Sequence, residues 1–430
     1  MPISRRALLK TGLQTGALAS SVSVLPKLAA QESHEQPKLP AAFDKLKPVH
    51  DRVRPITAEE FQGRIQHAQR LMAEAKPEFA ALYLTPGTGL YYYTGIRWGL
   101  SERLLALVIP RRGEPMLVCP AFEEGRLREL QLWPIEVRAW QEDEDPSKVA
   151  AKWFAERGIR TGRVGIEETT RFTFYDALRR AAPPLELASG DPITIGCRAR
   201  KSGHELELMR LACEATCEVY RALFASLREG MSQRDIGALV SQGFQRLGLS
   251  GGALVLLGKW AALPHGTMQP QRLVEGEVVL VDGGTSVEGY ASDVTRCTVL
   301  GKTPDKLKRA FDVVRRAQEA ALQAARRGQL AGSVDDAARA VITAAGYGTD
   351  YKLFTHRVGH GIGLDGHEHP YLVRGSKTLL EPGMTFSNEP GIYVRDEFGL
   401  RLEDDMVIAE DGPARLLTPG LSPSLEQPIA

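Results

Sequence analysis

The stretch His356–His369, HRVGHGIGLDGHEH, holds four of the nine histidines in a chain of 430 residues: His356, His360, His367 and His369. Composition alone does not give that density. Gly359, Gly361, Gly363 and Gly366 interrupt the stretch, which disfavours an amphipathic helix with a histidine face. It reads as strand and turn, with backbone packed close around a polar centre. Neutral imidazole is a common metal ligand and a general acid or base near neutral pH. The stretch is therefore expected to form one wall of a metal site whose other walls lie elsewhere in the chain.

Carboxylates are the natural partners. The apolar run Val278–Val281 ends in Asp282-Gly283-Gly284, and a return strand opens at Tyr290. A hairpin there brings Asp282 and Asp293 together, and two such carboxylates raise one pKa unless a cation lies between them. Glu389 precedes Pro390-Gly391 at a strand end, and Glu403 follows Arg401 by two residues. Taken singly, the two Asp also fit a cap and a surface position, Glu389 fits a turn, and Glu403 fits an ion pair with Arg401. As a set, two Asp, one His and two Glu form a mostly oxygen donor group. That group suits two divalent ions such as Mn, Co, Fe or Zn better than one tetrahedral structural zinc. Two ions about 3.5–4 Å apart can hold a hydroxide and polarise a carbonyl.

The rest of the chain sets the frame. Its length predicts two domains. A net charge of +1 gives no sign of a nucleic-acid partner. Cys119, Cys197, Cys213, Cys217 and Cys297 are odd in number and scattered, so they read as small buried apolar groups and not as a disulfide framework. Ser4-Arg5-Arg6-Ala7-Leu8-Leu9-Lys10, an apolar run to Leu25 and Leu28-Ala29-Ala30 resemble a twin-arginine export signal over residues 1–30. The apolar run is too short to span a membrane. A proline-containing linker is expected over 31–54, and export to the periplasm follows.

From Thr57, an N-cap followed by two acids, a helix is expected to about Lys76. Strands are expected at Phe79–Leu84, Leu104–Ile109, Pro115–Cys119 and 163–167, with helices at 121–131, 147–157 and 172–181. This is an α/β domain over 55–195. A capping box, Ser202 with Glu205, opens a second domain over 198–420. Helices are expected from Ser202 through Phe224, at Gln233–Leu247, 304–327 and 333–345, with strands at 253–257, 278–282 and 290–300. Glycine-rich strand and turn follow from 351 to about 417. Paired helices beside strands on both sides of residue 300 hint at two similar halves.

The order Asp282, Asp293, His360, Glu389, Glu403 resembles the pita-bread metallopeptidases: methionine aminopeptidase, Xaa-Pro aminopeptidase and prolidase. The strings Pro264-His265-Gly266, Val281-Asp282-Gly283-Gly284, Ser292-Asp293-Val294-Thr295-Arg296, Gly359-His360-Gly361-Ile362-Gly363, Asn388-Glu389-Pro390-Gly391 and Arg401-Leu402-Glu403-Asp404 carry the likeness across residues 198–417. Tyr91-Tyr92-Tyr93-Thr94-Gly95, with Glu102-Arg103 before an apolar strand, is similar to the creatinase/prolidase N-terminal domain. Methionine aminopeptidases generally lack that domain, which favours the proline-peptidase branch.

The resemblance implies an α/β N-terminal creatinase-like domain followed by an α+β pita-bread catalytic domain. It implies hydrolysis of the amide bond N-terminal to proline, in dipeptides or longer peptides, by a hydroxide held between two divalent ions. Manganese is the expected metal, with cobalt, zinc or iron as alternatives. Asp282, Asp293, His360, Glu389 and Glu403 would be the ligands, Asp293 and Glu403 bridging, Asp282 on one ion and His360 on the other. Glu389 would also shuttle a proton. His265 and His367 would face the substrate, His356 would line the pocket, and Arg401 would hold the Glu403 carboxylate. The family's oligomers imply a homodimer or higher assembly, with Arg97 and Trp98 as candidates to reach a neighbouring protomer. Two other readings stay open, a creatinase-like hydrolase of non-peptide C–N bonds and a pita-bread module that only binds. Creatinase does not keep the metal ligands and such modules usually lose some, whereas all five are present here. Two departures stand out: His369 takes a place where many relatives carry an acid, and Cys297 one where threonine is frequent. A solvated histidine and a buried small residue are expected there.

Overall fold

The computed structural model describes residues 39–430. The expected export signal and residues 31–38 of the expected linker lie outside the described residues. The remainder of that linker is not free chain. Ala41–Lys45 and His50–Arg52 form 3-10 turns, and Phe43, Leu46 and Val49 are buried. They recur at every third residue, and the Val49 N–H donates to the Leu247 carbonyl at 3.0 Å. Prolines signalled a linker; this apolar spacing, overlooked beside them, instead anchors the segment on the second domain.

In the first domain, helix α1 (Ala58–Glu74) starts at a capping box between Thr57 and Glu60. A six-stranded sheet of β1 (Phe79–Leu84), β2 (Ala106–Pro110), β3 (Met116–Pro120), β4 (Glu136–Trp140), β5 (Gly162–Ile166) and β6 (Leu185–Ser189) has the order β4-β3-β2-β1-β5-β6. The central strand β1 shows why its run is apolar throughout. Leu82 and Leu84 join the core beneath α1, while Ala81 and Tyr83 join the opposite core, because successive side chains face opposite sides. Between the strands lie α2 (Thr88–Thr94), α3 (Glu124–Glu129), α4 (Pro146–Glu156), α5 (Phe172–Ala181) and, after β6, α6 (Asp191–Arg198). Helices α2 and α6 and strands β4 and β6 were not anticipated. The first domain runs through Arg198 rather than stopping at 195.

The second domain repeats one order, two helices and then antiparallel strands. Helix α7 (Gly203–Phe224) starts at the expected Ser202–Glu205 capping box and packs with α8 (Gln233–Arg246). Strands β7 (Gly251–Leu257), β8 (Val278–Val287), β9 (Tyr290–Ala291) and β10 (Val294–Val299) follow, with β8 central in β10-β8-β7. Helices α9 (Asp305–Ala324) and α10 (Ala331–Ala344) open the second half. Strands β11 (Gly359–Gly361), β12 (Glu368–Leu372), β13 (Thr385–Asn388), β14 (Gly391–Val394), β15 (Phe398–Arg401), β16 (Asp404–Val407) and β17 (Arg415–Leu416) complete it, in the sheet β12-β11-β13-β16-β17 and the hairpin β14-β15. An isolated bridge between Thr295 and Glu403 joins the two halves. Leu425 is buried in the domain core and its carbonyl accepts from Thr298 Oγ1 at 2.7 Å, so packing continues past residue 420. No helix among the described residues is long and apolar enough to cross a membrane.

Candidate metal centre

The expected acid pair is built by one hairpin. Strand β8 runs five residues beyond Asp282 and turns at Glu288-Gly289, both with positive φ (50° and 87°), as a two-residue hairpin loop requires. The register sets Asp282 opposite Thr295. Asp293, two residues before Thr295, therefore lies on the same face and diagonal to Asp282. Gly284 makes the approach possible, because a Cβ there would lie 2.1 Å from the Ser292 carbonyl oxygen.

The second half supplies the other donors. His360 sits in β11, 2 % exposed. Glu389 follows β13 at the bend into β14, and Glu403 lies between β15 and β16 at the bridge to Thr295. Their donor atoms overlap in three groups, each within 4.8 Å: Asp282, Asp293 and Glu403; His360, Glu389 and Glu403; and Asp293, His360 and His367. Asp293, His360 and Glu403 each belong to two groups, and Asp282 and Glu389 each to one. His360 Nε2 is 3.4 Å from Glu389 Oε1 and 4.0 Å from Asp293 Oδ2. Its Nδ1 lies 3.1 Å from the Gly361 carbonyl, which assigns the proton to Nδ1 and leaves the Nε2 lone pair directed at the acids.

Charge is unevenly balanced. Burial opposes ionisation of Asp282, but Arg401 Nη2 and Thr295 Oγ1, the latter at 2.8 Å, hold it below its ordinary value. Burial and then Asp282 push Asp293 well above the carboxylate range, and burial and then Asp293 do the same to Glu403. Burial raises Glu389 to about 8 against the pull of Arg401. A crowded set of buried and half-buried acids with one guanidinium at its edge fits a divalent cation, which would remove the mutual repulsion. A donor set of four carboxylates and one imidazole fits Mn, Co, Fe or Zn.

Arg401 differs from expectation. It holds Asp282, not Glu403; Glu403 Oε2 instead lies 2.6 Å from the Thr295 hydroxyl oxygen. Arg401 reaches across the interface between the halves to β8, and its Nε donates to the same threonine hydroxyl at 3.2 Å. Its Nη1 donates to the Tyr393 hydroxyl at 2.9 Å, and that hydroxyl lies 2.7 Å from His356 Nε2. His356 Nδ1 is 2.8 Å from the Arg357 carbonyl and 3.7 Å from Glu389 Oε2. Burial, then the Arg401 charge, lowers His356 to about 3, so it is a neutral member of the wall. Thr295 and Tyr393 were missed as site residues. Strand alternation from Asp293 and from Arg401 was the signal that could have found them.

His367 stacks on His360 with centroids 3.6 Å apart and an interplanar angle of 17°. It is exposed, and burial of part of its ring, then the Arg357 charge, lowers its pKa. His265 is also exposed, close enough for its charge to act on both His356 and His367. Beside His367 a cleft of about 400 Å³ opens between the domains, lined by Thr88, Glu167, Arg198, Asp365, Glu368 and Tyr371 among others. His369 is partly exposed, 3.8 Å from Glu168. Cys297 is buried. Arg97 stacks on Tyr91 of its own chain, and Trp98 lies under Arg126.

Comparison with known proteins agrees with this architecture. Residues 207–410 match metallopeptidase family M24, and residues 64–200 match the creatinase/prolidase N-terminal domain. An Xaa-Pro dipeptidase of Lactobacillus delbrueckii subsp. lactis is 35% identical over 341 residues, 77% of this chain and 90% of that protein. The crystal structure of dipeptidase PepE from Mycobacterium ulcerans is 31% identical with a TM-score of 0.78, covering 85% of this chain and 98% of that one. A recombinant prolidase from Thermococcus sibiricus is 31% identical with a TM-score of 0.75, covering 83% and 96%.

Proposed function

The chain belongs to metallopeptidase family M24, and from that premise we propose that it hydrolyses the amide bond N-terminal to proline, with Xaa-Pro dipeptides as the first substrates to try. The observation that carries the reading is the overlap of donor groups, in which Asp293, His360 and Glu403 are each shared by two groups and Asp282 and Glu389 each join through Glu403. In this reading Asp282, Asp293, His360, Glu389 and Glu403 hold two divalent ions, manganese first and cobalt, zinc or iron as alternatives. When bound, the ions supply a Lewis acid and a nucleophile at neutral pH.

The chain's own groups do the rest. Glu389, as the carboxylate, takes the proton of the attacking water and delivers it to the leaving proline nitrogen. His367 and His265 present N–H donors to the carbonyl oxygen as it gains charge. Arg401, Tyr393 and His356 form one hydrogen-bonded line from Asp282 to the Arg357 carbonyl, which keeps the Asp282 carboxylate oriented.

The reading is tested with purified protein, Xaa-Pro dipeptides and longer Xaa-Pro peptides, with and without Mn²⁺ or Co²⁺. Metal-stimulated cleavage is expected, and no cleavage of either class overturns the reading. We also propose export through a twin-arginine signal to the periplasm; a reporter fused to residues 1–35 that stays in the cytoplasm refutes it. A homodimer or larger assembly is proposed as well, and a monomer mass by light scattering would rule it out.

A further inference from the structure

The last helix of the first domain reaches the loop that carries His367. Arg198, the final residue of α6, donates from Nη2 to Asp365 Oδ2 and to Glu368 Oε2. These two carboxylates flank His367 in sequence. Lys201 Nζ binds the other oxygen of Glu368 at 2.6 Å, and the Thr88 hydroxyl binds the other oxygen of Asp365. Lys201 and Glu368 side chains are 3 % and 7 % exposed and Arg198 is 14 % exposed, so solvent screens the Glu368 pairs little, whereas Asp365 is 41 % exposed and its pair is screened more. Gly363 leaves the room they occupy, because a Cβ there would lie 2.6 Å from Glu368 Oε1 and 2.8 Å from Lys201 Cε. Between the two clamped acids, the His367 ring is laid flat against His360.

We propose that Arg198 is a positioning residue for the reaction: by holding the carboxylates on both sides of His367, the first domain sets the imidazole that faces the substrate. The inference rests on the role given to His367 above. An arrangement this close to the reacting bond matters, because a misplacement of about 1 Å can cost on the order of a hundredfold in rate. A buried clamp could equally serve only to fasten the two domains, and the two roles differ in whether they act through His367.

The experiment measures kcat and KM for a cleaved Xaa-Pro dipeptide with saturating Mn²⁺, for Arg198→Met and His367→Ala singly and together. Arg198→Met is expected to lower kcat about tenfold or more, to leave KM within about threefold, and to leave Mn²⁺ affinity by calorimetry unchanged. In the His367→Ala background the same change is expected to cost less than about twofold, because the group it positions is gone. Arg198→Lys is expected to recover only part of kcat, since one ammonium cannot reproduce the planar guanidinium contact to both acids. Should Arg198→Met fold poorly, Asp365→Asn removes one contact only and must show a smaller loss, again absent without His367. A loss that persists in the His367→Ala background, or an unchanged kcat in Arg198→Met while His367→Ala is impaired, overturns the proposal alone. A wild-type enzyme that cleaves and an unimpaired His367→Ala variant overturn the role of His367 and this inference with it.

Discussion

Removing the metal should make the stability of this protein fall with pH in a window where most proteins are indifferent to it. Glu389 rises from its ordinary 4.5 to about 8, and Asp293 and Glu403 lie well above their ordinary values, all first because of burial. A raised carboxyl group binds more protons folded than unfolded. The stability it supports is complete below its unfolded pKa and is lost as pH climbs to the folded one. His356 and His360, lowered to about 3 and about 4, act in the opposite sense. They are neutral in the fold where the unfolded chain is protonated, so their contribution grows up to about pH 6.5 and is flat beyond. Above pH 6.5 the acids act alone. Over the roughly 1.5 pH units to pH 8, Glu389 accounts for about 2 kcal/mol, or roughly 2 °C in Tm for a chain of this length. Asp293 and Glu403 add to it with the same sign. Bound cations replace the protons, so the loaded protein lacks this slope. Asp405 and Glu167, both raised to about 7 mainly by burial, titrate with or without metal. The assay is therefore the difference in Tm between EDTA-stripped and Mn²⁺-loaded protein at pH 6.5, 7, 7.5 and 8. The gap should widen steadily. A gap that stays constant or narrows would refute the picture of proton-holding acids crowded at one centre.

Asp293→Ala removes the carboxylate shared by two donor groups; metal content by mass spectrometry and turnover should both be lost while the first domain stays folded, and retained turnover would sink the two-ion assignment. Arg401→Met strands Asp282, its half-buried partner, and should destabilise the metal-free protein by about 2 kcal/mol in urea unfolding; an unshifted midpoint would show that the pair does not matter. Phe43→Ala empties a fully buried site in the segment that reads as linker and should cost about 3 kcal/mol by the same measure, whereas a true linker would lose nothing.

Much of this molecule was legible in its sequence because the relevant signals are local. The run Phe79–Leu84 is a strand with those bounds, since only a centre strand between two cores tolerates six consecutive apolar side chains. Ser202 and Glu205 form the expected capping box, because its geometry is contained in four residues. Asp282 and Asp293 meet because hairpin register follows from turn length. The errors arise where distant segments meet. Arg401 and Glu403 are two residues apart, and sequence proximity suggested that they pair. In the fold the bridge from Thr295 to Glu403 puts a threonine hydroxyl between the two halves, within reach of Asp282, Glu403 and Arg401 alike. The guanidinium is then free to cover Asp282, a group 119 residues away. Nothing in the local string around Arg401 encodes that choice. It depends on how the two halves of the second domain close on each other. The same holds for Arg198, at the end of a helix that propensity did not announce, whose two partners follow it by more than 160 residues. The family likeness named candidate donors that the fold does bring together, but the groups that orient them come from the closure of halves and domains.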